Sequence, residues 1–335
     1  MPRTRRSDSS DPGYARIRRG KGFSYHDEDG GTISDEEVLT RIRGLVIPPA
    51  WTNVWICPDE RGHIQAVGTD AAGRRQYLYH DDWRAQRDRA KFRRLPEFAA
   101  TLPPARDALE SDLKLKGLVR ERVLACAVRL LDIGLFRVGG EDYAEENESF
   151  GLATLEKRHV SIRRGGIDFA YVAKGQIEQR QTVEDKLVAP TVLALKRRRG
   201  KPRDPLLAYR RGAGEWEDVS SVEINQWLKD LIGDQYSAKD FRTWNATVLA
   251  AMRLADRIDA ADRDKAVAGA IEEVAAILGN TPAVCRASYV DPRVIRRYKQ
   301  GVTIAADLER LAAKGASRDF AERAGIERAV VELIT

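Results

Sequence analysis

The apolar pattern of this 335-residue chain changes period once, near residue 100, and that change limits the folds open to it. From Gly13 to about Arg94, short strand-like runs at residues 54–56 and 63–67 alternate with glycine-containing turns and one well-marked helix. That helix is predicted to begin at Ser34, where Ser34 and Glu37 make a capping box and Ile33 with Val38 a hydrophobic staple, and to stop before Pro48. After Leu102-Pro103-Pro104 the pattern turns mostly helical, with Leu118, Val119, Val123, Cys126, Leu130 and Ile133 at the spacing of a buried helical face. The fold expected is α+β: a disordered tail over residues 1–12, a small β-rich N-terminal domain over 13–95, and a mainly helical C-terminal domain over 96–335.

One β interruption stands out in the second half. Val160 and Ile162, then Ile167, Phe169 and Tyr171, alternate on either side of Arg164-Gly165-Gly166, which reads as a hairpin turning at the glycines. Further on, Ser220 and Glu223 open a helix, and Asp240 is placed to cap the next. Residues 260–278 form an Ala-rich helix ended by Gly279, and Thr281-Pro282 and Asp291-Pro292 each start a short helix, because proline suits the first helical position after a capping side chain.

Charge and motifs narrow the function. Lys and Arg outnumber Asp and Glu by 57 to 51, a net +6 that suits a polyanionic partner. No apolar run is long enough to span a membrane, and the start of the chain lacks the apolar segment of a signal peptide, so a soluble, cytoplasmic, nucleoid-associated protein is expected. Cys57, Cys126 and Cys285 are far apart and not in metal-ligand spacing. Phosphate-loop, dinucleotide and His-Glu-x-x-His motifs are missing, so neither a nucleotide cofactor nor a metal is expected.

Residues 74–94 mix Gln76, Tyr77, Tyr79 and Trp83 into a run of arginines, a plausible duplex-binding surface of phosphate-tracking cations beside groups able to reach base edges. The same composition also describes a solvated helix face and strand-core aromatics. The basic loop at residues 196–203 says less. Arg137, flanked by apolar residues and followed by Gly139, must pair with an acid or hold an anion. Lys174 ends the predicted hairpin, where a loop can swing an ammonium into a cleft or leave it on the surface. Arg242 falls near the start of a helix and can share a phosphate with helix amides. Tyr289 lies at the end of the helix after Asn280-Thr281-Pro282, where most tyrosines are half-buried packing residues.

Together, in order, these segments resemble a family. Arg19-Gly20-Lys21-Gly22-Phe23-Ser24-Tyr25, Val46-Ile47-Pro48-Pro49-Ala50-Trp51, Arg75-Gln76-Tyr77-Leu78-Tyr79, Glu146-Asn147-Glu148-Ser149-Phe150-Gly151-Leu152, Lys239-Asp240-Phe241-Arg242-Thr243 and Gly279-Asn280-Thr281-Pro282 with Ser288-Tyr289 look like the small type IB DNA topoisomerases of poxviruses and bacteria. The resemblance covers nearly the whole chain after the tail. It implies a β-rich cap and a helical catalytic domain that close around double-stranded DNA as a clamp, in a protein acting as a monomer. It also implies that Arg137, Lys174, Arg242 and Tyr289 form the active site and that Gln76, Tyr77 and Tyr79 contact DNA. One position departs: this chain has Asn280 where the family usually has histidine.

Those residue types suit transesterification at a phosphodiester. A tyrosine phenol is mostly protonated near neutral pH, so Tyr289 needs nearby cations or loses its proton during attack. Arg137 and Arg242 can clamp the phosphate in place of a divalent metal. Lys174, whose proton neighbouring arginines make easier to release, can protonate the departing 5′-alkoxide. Asn280 can donate one hydrogen bond to a phosphate oxygen but carries neither proton nor charge. A 3′-phosphotyrosyl ester stores the energy of the broken bond, so resealing needs no ATP. A tyrosine recombinase would use nearly the same chemistry, although its N-terminal part would normally be helical, and a non-enzymatic DNA-binding protein would account for the charge alone.

Overall fold

The computed structural model describes residues 4–140, 148–212, 214–313 and 323–335; Glu146 and Asn147 of the quoted segments lie outside the described residues. The chain is α+β and divides into two compact units, Met1–Arg93 and Arg94–Thr335.

The first unit is built on a five-stranded antiparallel sheet. Its strands are β1 (Tyr14–Arg19), β2 (Gly22–His26), β3 (Thr52–Ile56), β4 (Ile64–Thr69) and β5 (Arg75–Tyr79), in the order β2-β1-β3-β4-β5. Helix α1 (Glu36–Gly44) crosses between β2 and β3 in the chain and buries Ile42 with Val54, Ile56 and Ala66. Its N-cap is Asp35, not the expected Ser34: the Asp35 carboxylate accepts from the amides of Glu37 and Val38, a charged acceptor that suits the positive end of the helix. Residues 4–12, expected as a tail, reach the sheet through hydrogen bonds. The Arg5 amide donates to the Arg61 carbonyl, the His63 amide donates back to the Arg5 carbonyl, and the Ser7 hydroxyl donates to the Ile64 carbonyl. Backbone bonds and the Ser7 hydroxyl thus dock the segment beside β4 without an apolar signature. Helix α2 (Asp81–Arg93) follows β5 and buries only Phe92, the solvated arginine face that its composition suggests.

The second unit is mainly helical. Helix α3 (Leu95–Leu113) runs straight through Pro103 and Pro104, which the sequence suggested as a break. Each interior proline costs about 3 kcal/mol, but Phe98, Leu102, Ala105 and Leu109 keep one continuous buried face on both sides of the pair. Helix α4 (Arg120–Gly134) is the centre of the unit: every residue from Val123 to Val128 is buried, so it is enclosed all round rather than on the single face expected.

The predicted hairpin forms from β6 (Val160–Arg163) and β7 (Gly166–Ala173), with Arg163 opposite Gly166 and Gly165 at φ +96° in the turn. A third strand, β8 (Ile177–Val183), extends it, so Lys174 lies on a second turn, between β7 and β8. Then come α5 (Ala189–Arg197), the hairpin of β9 (Ala208–Arg211) and β10 (Glu215–Asp218), α6 (Ser221–Ile232), α7 (Ala238–Ala255), α8 (Arg263–Leu278), α9 (Pro282–Ser288), α10 (Pro292–Lys299), α11 (Ala305–Ala313) and α12 (Ala324–Ile334). Ser220 caps α6 by accepting from the Glu223 amide, and Thr281 and Asp291 cap α9 and α10, as the sequence predicts. Asp240 is not a cap residue: Ser237 is, and Asp240 completes a capping box by accepting from the Ser237 amide at 2.9 Å. The start of the basic loop is structural as well, since the Lys196 ammonium donates to the carbonyls of Lys157 and Val160.

A buried charge network ties α3, α4, α7 and α12 together. Asp132 on α4 accepts from Arg106 at 2.9 Å, Arg129 at 3.0 Å and Arg323 at 2.8 Å. Glu327 accepts from Arg106 at 2.6 Å, Arg323 at 2.8 Å and the Trp244 indole at 2.9 Å. Asn245, one turn along α7 from Arg242, donates to the Asp132 carbonyl at 2.7 Å and accepts from Arg323 at 2.8 Å. Burial alone would raise the Asp132 carboxyl, but Arg323, Arg106 and Arg129 outweigh it and hold it at about 2. Removing the carboxylate takes one charge partner from each of Arg106, Arg129 and Arg323 in a buried site, so Asp132→Ala is expected to cost about 3–5 kcal/mol, read as a lower urea midpoint. In the unaltered protein this contribution is complete above the ordinary carboxylate value of 3.8 and is lost as pH falls towards 2.

Candidate active site

The last carbonyls of an α-helix have no intrahelical donors. Helix α8 meets that requirement unusually. Gly279 takes the left-handed conformation at φ +61°, its amide donates to the Ala276 carbonyl and the Asn280 amide to the Ala275 carbonyl, which together make a Schellman ending. The next three carbonyls receive side chains from elsewhere. Gln179 Nε2 donates to Ile277 at 3.2 Å, Arg242 Nη2 to Leu278 at 2.8 Å, and Arg137 Nη2 to Gly279 at 2.9 Å. The partial negative charge at a helix C-terminus favours cations there, which lets two guanidiniums lie close together despite their mutual repulsion.

Arg137 is aimed by a sharp exit from α4. Leu135 adopts φ +58°, a left-handed conformation that costs a non-glycine residue about 1–2 kcal/mol. The chain is then fixed by bonds from the Leu152 amide to the Arg137 carbonyl, 2.8 Å, and from the Ala153 amide to the Val138 carbonyl, 2.7 Å. Gly139 is needed there: at φ +86°, a Cβ on it would lie 2.9 Å from the Gly151 Cα. No acid among the described residues pairs with Arg137; Nη2 also donates to Asn280 Oδ1.

Arg242 lies one turn into α7, past the helix amides with which the sequence suggested it shares an anion. It is 4% exposed. Nη1 donates to the Leu135 carbonyl at the end of α4 and Nη2 to Leu278 at the end of α8, while Nε has no hydrogen-bond partner among the described residues. Burial, and then Arg137, pull this guanidinium down to about 10, which still leaves it charged at neutral pH. Its carbon lies 5.4 Å from the centre of the Tyr289 ring, a cation–π distance.

Tyr289 is the C-cap of α9, half-buried, with its amide donating to the Cys285 carbonyl at 2.9 Å. The Thr247 hydroxyl of α7 donates to the Tyr289 carbonyl at 3.3 Å and accepts from the Asp291 amide at 3.1 Å, so the tyrosine is pinned to the helix that carries Arg242. Arg137, Lys174, Lys239, Arg242 and Tyr289 all border one cavity of about 290 Å³, with Ser149 and Phe150. Four of the expected residues therefore meet.

Asn280 does not line that cavity. Its Oδ1 holds Arg137, and its buried Nδ2 has no partner among the described residues. Gln76, Tyr77 and Tyr79 belong to β5 in the first unit. Tyr77 and Tyr79 are exposed and stacked at 6.1 Å, and the Arg75 guanidinium lies 5.8 Å from the Tyr77 ring. Gln76 faces the other side of the sheet, where Nε2 donates to Asp70 at 2.9 Å.

Sequence reasoning missed Ser149, Lys239 and Gln179. Ser149 is 4% exposed and its hydroxyl has no partner among the described residues. Gln179 stands in a polar strand with no motif around it; the only trace in the sequence is Gly279, since a Cβ there would collide with Gln179 Oε1.

Residues 80–314 match the family described as eukaryotic DNA topoisomerase I, catalytic core, and residues 22–70 match the bacterial DNA topoisomerase IB N-terminal domain. DNA topoisomerase 1B of Acanthamoeba polyphaga mimivirus is 29% identical over 297 residues, covering 86% of this chain and 88% of that protein. DNA topoisomerase 1B of vaccinia virus (strain Copenhagen) is 21% identical over 239 residues, 70% of this chain and 72% of its own. DNA topoisomerase 1 of Mycosarcoma maydis is 26% identical over 60% of this chain, which spans only 22% of that longer protein.

Because its backbone is left-handed, Gly279→Ala is expected to lose about 1–2 kcal/mol from conformation alone, with a further loss as Gln179 is displaced. Thermal unfolding measures this. A variant that melts with the parent would contradict the Schellman ending on which the site is built.

Proposed function

Because the chain belongs to the type IB DNA topoisomerase family, we propose that it relaxes supercoiled duplex DNA through a transient covalent bond to Tyr289, with the first unit acting as a DNA-binding cap and the second as the catalytic domain. The observation that carries this reading is the meeting of one half-buried phenol with two carbonyl-anchored guanidiniums and two lysines around one cavity.

The Tyr289 phenolic oxygen attacks phosphorus, releasing its proton to solvent and forming the Oη–P bond as the P–O5′ bond breaks. Lys174 delivers a proton to the departing O5′, help worth roughly 10²–10⁴-fold. Arg137 and Arg242 stabilise charge that grows on the non-bridging oxygens, about 2–4 kcal/mol for each well-placed donor. Their orientation is set before DNA arrives, because protein carbonyls already hold one side of each guanidinium; little reorganisation is then needed in the transition state. The 3′-phosphotyrosyl ester and the free 5′-hydroxyl are close in energy to the starting diester. Reversal reseals the strand after rotation, so the cycle runs without ATP, and the guanidiniums fill the place of a divalent cation. The exposed, stacked Tyr77 and Tyr79 beside Arg75 offer the first unit a surface for duplex DNA.

Of the readings left open by the sequence, a recombinase and a non-enzymatic DNA-binding protein both give way to the family match. Relaxation of supercoiled plasmid in EDTA without ATP is the direct test. Tyr289→Phe is expected to abolish relaxation and the covalent adduct while duplex binding persists; relaxation by this variant would refute the assignment. Asn280→Ala is expected to slow cleavage about 10-fold, as Arg137 loses the oxygen that helps to orient it. Asn280→His is expected to restore activity with a histidine titration in the pH profile. An alanine variant as fast as the parent would show that position 280 orients nothing.

A further inference from the structure

Lys174 rides on the turn between β7 and the largely exposed β8. The tip adopts positive φ at Gly175 (+83°) and Gln176 (+59°), and residues 174–178 are all exposed. Such a segment belongs to the low-stability end of a fold, where local opening is easy. An acid carried there needs a tether if it is to meet a leaving group within hydrogen-bond reach.

Gln179 is the first half-buried residue of β8 after the turn, opposite Tyr171 in register. Its Nε2 donates to the Ile277 carbonyl at 3.2 Å, and its Oε1 fills the space over Gly279 that any side chain would take. The carbonyls of Ile277, Leu278 and Gly279 therefore hold, in turn, the hairpin of Lys174, then Arg242, then Arg137. Gln179 itself does not line the cavity of Tyr289.

We propose that Gln179 is a positioning residue for proton donation: its amide latches the Lys174 hairpin to the end of α8, so that the general acid is registered to the same three carbonyls that aim the two phosphate-binding arginines. The inference rests on the reading of Lys174 as the acid for the 5′-oxygen.

The test compares single-turnover cleavage of two duplexes that differ only at the scissile phosphate, one with the ordinary 5′-bridging oxygen and one with sulfur there. A thiolate leaves without protonation, so the sulfur duplex bypasses the acid. Gln179→Ala and Gln179→Glu, which keeps the size but loses the donor, are each expected to cleave the oxygen duplex about 10- to 100-fold more slowly, the usual penalty for misplacing a catalytic group by about 1 Å. Both are expected to cleave the sulfur duplex at nearly the parental rate, with unchanged DNA affinity. Equal slowing on both duplexes, or no slowing on oxygen, overturns the proposal. Lys174→Ala separates this from failure of the underlying reading. If the sulfur duplex rescues Lys174→Ala but not the Gln179 variants, only the latch is wrong; if it fails to rescue Lys174→Ala, the acid assignment falls and the latch falls with it.

Discussion

Three consecutive carbonyls at the end of one helix organise the catalytic unit. A helix C-terminus is short of donors and carries partial negative charge, and both deficits are met here by side chains rather than water. Two like charges are thereby brought side by side with no carboxylate partner among the described residues. A carboxylate would hold the arginines equally well, but it would neutralise the field that a phosphate is meant to meet. Carbonyl oxygens orient the guanidiniums and leave their charge intact.

That arrangement depends on the placement of α4, α7 and α8, because Arg242 reaches the ends of two of them from the third. The network around Asp132 and Glu327 supplies the placement. It is built from the opposite choice, guanidiniums saturated by buried carboxylates, and it fixes α7 within one turn of Arg242 through Asn245 and Trp244. Paired charges set the frame, and Arg137 and Arg242 rest on carbonyls beside the cavity. Thr247 completes the link by tying the backbone on both sides of Val290 to the same helix, so Tyr289 and Arg242 are held to one element.

How much of this was legible in the sequence follows the range of the signal. Short-range chemistry read well: Ser220 with Glu223, Gly279, Thr281-Pro282 and the Arg164-Gly165 turn each act through neighbours a few residues away. Choices between equivalent local signals did not. Ser34 and Asp35 are both capping residues, and only the backbone shows that the helix starts after the second. Pro103-Pro104 signals a break locally, yet long-range packing of α3 overrides it. Strand β8 is polar along most of its length, its ladder with β7 being set by pairing rather than pattern, so the sequence puts Lys174 at the end of a hairpin and only the fold shows it at the head of a second turn. Four residues around the cavity were identified through resemblance to a family, since nothing in their spacing brings them together. Gln179 and the carbonyls have no sequence signature, because a backbone oxygen is the same at every position.

The central claim is that the arginines act while still held by the end of α8. Its most direct measurement is a crystal structure of the protein with nicked duplex DNA and orthovanadate, which mimics the five-coordinate phosphorus between the Tyr289 oxygen and the 5′-oxygen. The account predicts vanadate oxygens within about 3 Å of both guanidiniums, with the bonds from Arg137 to the Gly279 carbonyl and from Arg242 to the Leu278 carbonyl retained. Vanadate bound at Tyr289 with either guanidinium released from its carbonyl, or turned away from the vanadate oxygens, would contradict it.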